Sequence, residues 1–293
     1  MKKRLLLCTM AAFALVANVC AQEWKMVVAH TDNTFDTIAV EKVKEVTFFK
    51  GNSGTPDPKE LGIEFVKIPA GSFLMGSPVE EPQRESGEIQ HRVELSKDFY
   101  MSKYPITFKQ YDKFCEATGR QKPDDYTWGR ENRPVIDVSW DDAVAFCEWI
   151  GCRLPTEAEW EYACKAGTTT PFNTGDNLTT DEANYDGNYP YNNNEKGTYR
   201  KKTVPVGTLG KPNAWGLCDM HGNIQEWCSD WYAEYSAADE VVTDPKGPDS
   251  GTYRILRGGS WTTRAMQCRS AYRGGIEPSS RLDDAGFRVV LVK

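Results

Sequence analysis

The segment 213–231 reads NAWGLCDMHGNIQEWCSDW and combines closely spaced polar side chains with glycines and tryptophans. Asp219, Asn223 and Glu226 place oxygen-bearing side chains within eight residues, and Gly216 and Gly222 interrupt any continuous helix there. An irregular loop of carboxylates and carbonyls suits a hard cation such as Ca²⁺, which takes several oxygens in a flexible shell. A tight turn whose polar side chains bond its own backbone would show the same pattern. The spacing does not match an EF-hand loop, so it leaves both interpretations open.

Five motifs elsewhere in the chain bear on this choice. They are, in chain order, IPAGSFLMGS at 68–77, VSWDDAVAFCEW at 138–149, RLPTEAEWEY at 153–162, RGGSW at 257–261 and GFRV at 286–289. In this order they resemble the sulfatase-modifying-factor family, whose founding members are the formylglycine-generating enzymes. The resemblance runs from about Leu61 to the C terminus. It implies an α+β fold, namely a loop-rich, C-type-lectin-like domain with short strands and three main helices.

Composition excludes some functions. The chain has 293 residues and a net charge of −7, and its Lys and Arg are spread throughout. A nucleic-acid-binding surface would need a clustered basic face, so none is expected. Tryptophan (9) and tyrosine (13) are plentiful, which favours a core built from large aromatic side chains and short strands.

Residues 1–21 predict a secretory signal. A basic start, KKR at 2–4, precedes the apolar run 5–16, and VCA at 19–21 offers small residues for cleavage. The run is too short to span a membrane permanently, and no later segment could cross one. We therefore expect export to the periplasm or the medium. Lipid anchoring through Cys20 is the alternative, although Asn18 and Val19 before it fit poorly.

Three further regions follow the signal. Residues 22–50 predict a small β unit, because 24–29 and 38–49 are rich in Val, Ile and Phe. Residues 51–60 have the composition of a linker, and 61–293 form the main domain. The charged segment 78–90 predicts an exposed loop.

Capping signals predict the three helices. Thr107 with Gln110 and Thr156 with Glu159 form capping boxes, and Ser139 caps the helix between them. Glutamates 157, 159 and 161 could form paired carboxylates, but early glutamates complement the helix dipole, which favours a structural role. His30, His91 and His221 lack paired ligands at useful spacing, and no GxSxG occurs.

The resemblance implies two calcium sites. Its first site corresponds to the side chains of Asp219 and Glu226 with the carbonyls of Gly222 and Ile224. Its second begins at an Ala-Asn pair, which matches Ala183-Asn184 followed by Tyr185. The acidic ligand of that second site has no clear counterpart, and Asp186 or the asparagines at 192–194 are the candidates to replace it.

The resemblance also implies an oxidase that holds Cu(I) between two thiolates after the GGS motif and uses O₂ to convert a cysteine of a client sulfatase to formylglycine. Two thiolates suit Cu(I) because it is a soft ion. Here the segment 260–273, SWTTRAMQCRSAYR, contains a single cysteine, and Thr263 stands where the first active cysteine belongs. If the chain were an oxidase, Cys268 and Ser260 would be its catalytic residues.

Seven cysteines remain once Cys8 and Cys20 leave with the signal, so at least one thiol stays unpaired within the chain. Cys228 and Cys268 flank the two central motifs and could form a disulfide, and Cys115 with Cys147 is a second candidate pair. A buried thiol packed as a small hydrophobe is the alternative for each.

The C-terminal segment offers a recognition surface. Its candidate contact residues are Trp261, Arg264, Gln267, Tyr272 and Arg273. Alternatively, Arg269, Arg273 and Arg288 pair with core carboxylates such as Glu226. The sequence therefore predicts a family member without the copper cysteine pair, which acts in binding or as a scaffold toward an unidentified protein or surface ligand. A copper-dependent oxidase acting on a client sulfatase is the other hypothesis.

Overall fold

The computed structural model describes residues 55–235 and 240–292, together with three N-terminal strands. Contacts divide the chain into two compact units, residues 1–51 and 52–293. In the first unit, β1 (Phe13–Ala17), β2 (Trp24–Ala29) and β3 (Phe35–Ala39) form an antiparallel sheet in the order β1-β2-β3. β1 lies in the predicted signal. Most of the strand predicted at 38–49 lies outside the described residues.

Short strands build three sheets in the second unit. They are β4 (Phe65–Ile68), β5 (Gly71–Met75), β6 (His91–Leu95), β7 (Phe99–Ser102), β8 (Cys152–Arg153), β9 (Gln225–Trp231), β10 (Val242–Thr243), β11 (Arg254–Arg257), β12 (Gly274–Ile276), β13 (Ala285–Gly286) and β14 (Val290–Leu291). Their orders are β10-β6-β5, β12-β11-β9-β13 and β4-β7-β14-β8. The β10–β6 and β13–β9 pairs are parallel. Among the described residues, no helix combines the length and apolarity needed to cross a membrane.

The three predicted helices are present. They are α1 (Phe108–Thr118), α2 (Trp140–Trp149) and α3 (Glu157–Lys165), and each begins with a complete capping box. Together with the short strands they confirm the predicted α+β, loop-rich architecture. A 3₁₀ helix, Ala265–Cys268, lies inside the C-terminal segment.

Large aromatic side chains fill the core, as the composition predicts. Trp160 of α3 and Trp227 of β9 are both 0% exposed. Trp227 donates to the carbonyl of Val138 at 3.1 Å, and Trp160 donates to Glu226 at 2.7 Å. These two indoles fix the start of β9, and with it the loop that precedes it, against α2 and α3.

Candidate functional site

The loop before β9 has the irregular backbone that its glycines predict. Asp219, Gly222 and Asn223 all adopt positive φ angles, of 55°, 71° and 68°. A Cβ at Gly222 would lie 2.4 Å from the carbonyl oxygen of Asn184, so this position requires glycine. The chain can therefore turn tightly here and present carbonyls and carboxylates within a short length.

Glu226 is the most buried carboxylate of the loop, and cationic and aromatic donors already hold it. Its Oε2 accepts from Arg288 Nε at 2.6 Å and from Trp160, and its Oε1 accepts from Arg288 Nη2 at 2.8 Å. Arg288, in the GFRV motif, also donates to the carbonyl of Cys218 at 3.0 Å. The single bond to Oε1 leaves that oxygen a further lone pair.

Asp219 has fewer hydrogen-bond donors than Glu226 to offset its burial. Its carboxylate accepts the backbone N–H of Gly207 at 2.6 Å. Burial raises the pKa of Asp219 to about 6, although the Gly207 hydrogen bond and Arg288 oppose the rise. A carboxylate that is costly to ionise without a cation nearby is a suitable ligand for one.

The structure brings the second predicted calcium segment against the first. The Asn223 N–H donates to the Asn184 carbonyl at 2.7 Å, and the Asn184 side-chain amide donates to Asn223 Oδ1 at 3.1 Å. Asn184 Oδ1 is buried and accepts no hydrogen bond. Of the residues considered as acidic replacements, Asp186 uses Oδ1 to hold the N–H and side-chain amide of Asn188.

The segment 260–273 contains the two residues that an oxidase would use, Ser260 and Cys268. Ser260 donates to Asp284 Oδ2 at 2.7 Å, and Gln225 donates to the same oxygen at 3.2 Å. Cys268 is 0% exposed, and its Sγ lies 3.8 Å from the hydroxyl oxygen of Thr263. Burial raises the pKa of the Cys268 thiol to about 12, so it is protonated at neutral pH.

The predicted Cys228–Cys268 disulfide is absent from the structure, as is a Cys115–Cys147 bridge. The seven cysteines among the described residues are all free and buried. Cys228 packs with the aromatic cluster of α3 and β5–β7, whereas Cys268 packs with the loop residues Phe172 and Tyr191. The two thiols pack in different clusters of the core, and each fills its site as a small apolar group.

His221 is a structural residue. Its Nε2 accepts the backbone N–H of Asn173 at 3.0 Å, so its Nδ1 donates to the carbonyl of Cys268 at 2.7 Å. Burial lowers the pKa of His221 to about 4, which keeps the ring neutral. Within 55–235 and 240–292, no three His, Cys, Asp or Glu side chains are grouped to hold a metal ion.

The arginines of the C-terminal segment pair with core carboxylates. Arg273 is 9% exposed and holds both oxygens of Glu157, at 2.7 and 2.9 Å, which removes it from the predicted surface. Arg269 is fully buried against Glu88 and Glu81. The ion-pair alternative is therefore confirmed for Arg269, Arg273 and Arg288.

The same ion pairs show that the prediction of an exposed loop at 78–90 is wrong in part. Glu88 in that segment is 1% exposed because Arg269 draws it into the domain. Glu81 is partly buried for the same reason. The segment is therefore anchored at its charged residues and is not a uniformly exposed loop.

Trp261, another predicted contact residue, is only 9% exposed, so it is buried and not a surface contact by itself. Its ring packs edge-to-face on Trp128 at 5.2 Å and stacks near Tyr199 at 6.2 Å, and Tyr126 extends the row from Trp128. Arg264 is exposed, and its guanidinium lies over the ring of Tyr189 at 4.7 Å. The aromatic row is formed by Tyr126, Trp128, Tyr199 and Trp261. The sequence analysis missed its first three members, although the YTW triplet at 126–128 was a visible signal.

Gln267 and Tyr272, the other predicted contact residues, bond each other. The Gln267 side-chain amide donates to the Tyr272 hydroxyl at 3.2 Å, and both residues are partly buried. Gln267 also accepts the backbone N–H of Arg264 at 3.1 Å. The two side chains thus stiffen the segment beneath Arg264, and they are less available to a partner than Arg264 itself.

Sequence comparison defines the class of protein. A family profile described as "Sulfatase-modifying factor enzyme 1-like domain" matches residues 50–293. The chain belongs to this sulfatase-modifying-factor family.

Individual relatives differ in what they are named for. The chain is similar to the formylglycine-generating enzyme of Mus musculus, with 32% identity over 80% of this chain and 77% of the relative. It is also similar to the "Inactive C-alpha-formylglycine-generating enzyme 2" of Bos taurus, with 28% identity over 78% of this chain and 89% of the relative. Its fold is similar to that of PvdO from Pseudomonas aeruginosa, with a TM-score of 0.69, 28% identity, and coverage of 78% and 94% of the two chains.

Proposed function

We propose that this protein is a non-catalytic member of the sulfatase-modifying-factor family, acting in binding or as a scaffold. The observation that carries the proposal is the state of Cys268, the single cysteine in 260–273. Its thiol is fully buried, and burial raises its pKa to about 12. Such a thiol is protonated at neutral pH and does not present a thiolate to a metal ion or to a partner.

The residues present do not fit a copper site with two thiolates. Thr263 lies beside the Cys268 sulfur, with its hydroxyl oxygen 3.8 Å away. A neutral hydroxyl is a poor ligand for Cu(I), which prefers soft thiolates. The Ser260 hydroxyl donates a hydrogen bond to Asp284, so this side chain is already engaged and does not supply the missing second ligand.

An oxidase that converts a cysteine of a client sulfatase to formylglycine is the second candidate. It is favoured by the 32% identity to the mouse formylglycine-generating enzyme. The family contains relatives named for this activity and relatives named as inactive, so identity alone does not separate the two candidates. The buried thiol at position 268 is the observation that favours the non-catalytic candidate.

The binding role uses the exposed face around the aromatic row and Arg264. Tyr126 is 39% exposed and Tyr189 is 50% exposed, whereas Trp261 is only 9% exposed and supports the row from beneath by its contact with Trp128. Exposed tyrosines with a nearby arginine favour an interface, because tyrosine and arginine are enriched among the residues that dominate binding energy. The partner we propose for this face is a protein or a surface ligand outside the cell, reached after export through the 1–21 signal.

We further propose that Ca²⁺ stabilises the loop before β9. Asp219 supports this, because its carboxylate is partly buried with one backbone donor. The carbonyls of Gly222 and Ile224 and the remaining Oε1 lone pair of Glu226 would complete the ligand set. The second segment offers the unpaired Oδ1 of Asn184 and the carbonyl of Tyr185, but the carboxylate that follows them, Asp186, already bonds Asn188 through Oδ1, which makes it the weaker site.

Cu(I) competition with a chromophoric chelator under reducing conditions tests the non-catalytic proposal. Thr263→Cys places a second thiol beside Cys268, and Thr262→Cys, on the exposed neighbour, is the matched control. We expect the wild type and Thr262→Cys to leave Cu(I) on the chelator. Thr263→Cys should remove one equivalent of Cu(I) from it. Withdrawal of one equivalent by the wild type, lost in Cys268→Ser, would favour the oxidase.

A further inference from the structure

A cavity lined by polar and aromatic residues is separate from the aromatic row. It has a volume of about 510 Å³ and lies between β5, the end of α3 and the loop after it. Its lining includes Phe73, Tyr162, Trp215 and the threonines at 168–170. It shares no residue with the aromatic row, and its size falls within the range of small-ligand sites.

Three rings form one wall of this cavity. Phe73 and Tyr162 have centroids 5.1 Å apart, and Tyr162 and Trp215 have centroids 4.7 Å apart, each pair tilted by 50–57°. A Cβ on Gly71 would lie 2.5 Å from the Tyr162 hydroxyl oxygen, so glycine at this position leaves room for that hydroxyl. Phe73 and Trp215 are partly exposed, and Lys165 Nζ lies over the Phe73 ring, 5.7 Å from its centroid.

The threonines at 168–170 also line the cavity and carry neutral hydroxyl groups. Thr168 donates to the carbonyl of Lys165 at 2.8 Å, and Thr170 donates to the carbonyl of Phe172 at 2.7 Å. Each of these two hydroxyl groups has used its hydrogen in that bond, so its oxygen can serve a ligand only as an acceptor. Thr169 is exposed and makes no hydrogen bond within the described residues, so its hydroxyl can both donate and accept.

The charges that border the cavity are already paired. Lys165 donates to Glu161 at 2.7 Å and to two backbone carbonyls. Glu81 accepts from Arg269 at 2.6 Å. No unpaired charge among the described lining residues would attract an ion, and a charged ligand would lose its hydration without gaining a partner.

We propose that this cavity binds a neutral oligosaccharide. A sugar ring has apolar faces lined with C–H groups and an edge of hydroxyls. The C–H faces pack on aromatic rings, whose faces are negative, while the hydroxyls exchange hydrogen bonds with threonines. The rings and the threonines that line the cavity supply both contacts, and the paired charges explain why a neutral ligand fits best.

Isothermal titration of the full chain tests the site. The probes are maltohexaose, cellohexaose, xylohexaose, mannohexaose and chitotetraose, with a heparin-derived hexasaccharide as the charged comparison. Trp215→Ala removes one ring of the wall, and Thr169→Val removes the unbonded hydroxyl without changing the side-chain shape. Trp128→Ala, in the aromatic row, is the matched tryptophan control. Circular dichroism and Tm verify that each variant folds.

We expect at least one neutral probe to bind more tightly than the charged one. Its affinity should fall at least 10-fold in Trp215→Ala and about 3- to 10-fold in Thr169→Val, as expected for loss of one ring or one hydrogen bond. It should be unchanged in Trp128→Ala. Failure of every neutral probe to bind at millimolar concentration would overturn the proposal. Binding that survives Trp215→Ala, or that is lost only in Trp128→Ala, would overturn it as well.

Discussion

Arg269→Met tests the ion pair that fastens 78–90 to the C-terminal segment. The Arg269 guanidinium is 0% exposed and donates to both oxygens of Glu88, at 2.7 and 2.6 Å, and to Glu81 at 2.6 Å. Methionine removes the charge and leaves two carboxylates whose side chains are 5% and 1% exposed. Removing one partner of a buried pair costs about 3–5 kcal/mol. In a domain of this size that lowers the Tm by about 6–20 °C.

The loss should depend on pH. Burial already raises the pKa of Glu81, and Arg269 opposes the rise, so without Arg269 the Glu81 carboxyl is harder still to ionise in the folded state than in the unfolded chain. The folded variant therefore binds protons more tightly, and its stability falls as pH rises above the unfolded pKa. The Tm difference from wild type should be larger at pH 8 than at pH 5.

Thermal unfolding followed by circular dichroism measures both effects, and Arg281→Met is the control. Arg281 also contacts a carboxylate, Asp142 at 2.6 Å, but its side chain is 49% exposed. Exposed pairs contribute about 0–1 kcal/mol, so its Tm should change little. Equal Tm losses in the two variants would refute the reasoning from burial.

Three further predictions concern titration, calcium and the thiols. Burial, and then the Glu157 carboxylate, raise the pKa of Asp230 from 3.8 to about 7, so its contribution to stability falls as pH rises from about 4 to 7. Urea unfolding should show Asp230→Asn gaining about 2–3 kcal/mol relative to wild type between pH 5 and pH 8, because the folded pKa lies about two units above pH 5, and a constant difference would count against this. EDTA should lower the Tm and Ca²⁺ should restore it, with neither effect in Asp219→Ala; a wild-type melting curve indifferent to EDTA would end the calcium proposal. Non-reducing peptide mapping after denaturation in iodoacetamide should find Cys228 and Cys268 both alkylated, whereas a linked peptide would contradict the structure.

The helices could be predicted because their signals are local. Thr107, Ser139 and Thr156 cap them by bonds to backbone groups three residues away, and such bonds depend on nothing outside the segment. The ring-lined core followed from composition alone.

The ion pairs could not be assigned from sequence in the same way. Arg269 meets Glu88 across 181 residues, and Arg273 meets Glu157 across 116. Nothing in the residues near Glu88 distinguishes it from its exposed neighbour Glu85, so the whole charged segment was predicted to face solvent. Only the tertiary fold decides which carboxylate an arginine reaches.

The candidate site was predicted in part. The sequence located the loop of Asp219 and Glu226 and the single thiol of the C-terminal segment. It did not show that Arg288 holds Glu226, that Cys268 is buried, or that Trp128 joins Trp261. Each of these depends on segments that are distant in sequence meeting in space.

Formylglycine formation measures the central claim most directly. A sulfatase-type CxPxR peptide is incubated with the mature protein, Cu(I), a reductant and O₂, beside Cys268→Ser, and its mass is recorded. Our account predicts no conversion by either protein when both are folded and loaded with calcium. Conversion by the wild type and not by Cys268→Ser would contradict it and show that one buried thiol is enough for the oxidase reaction.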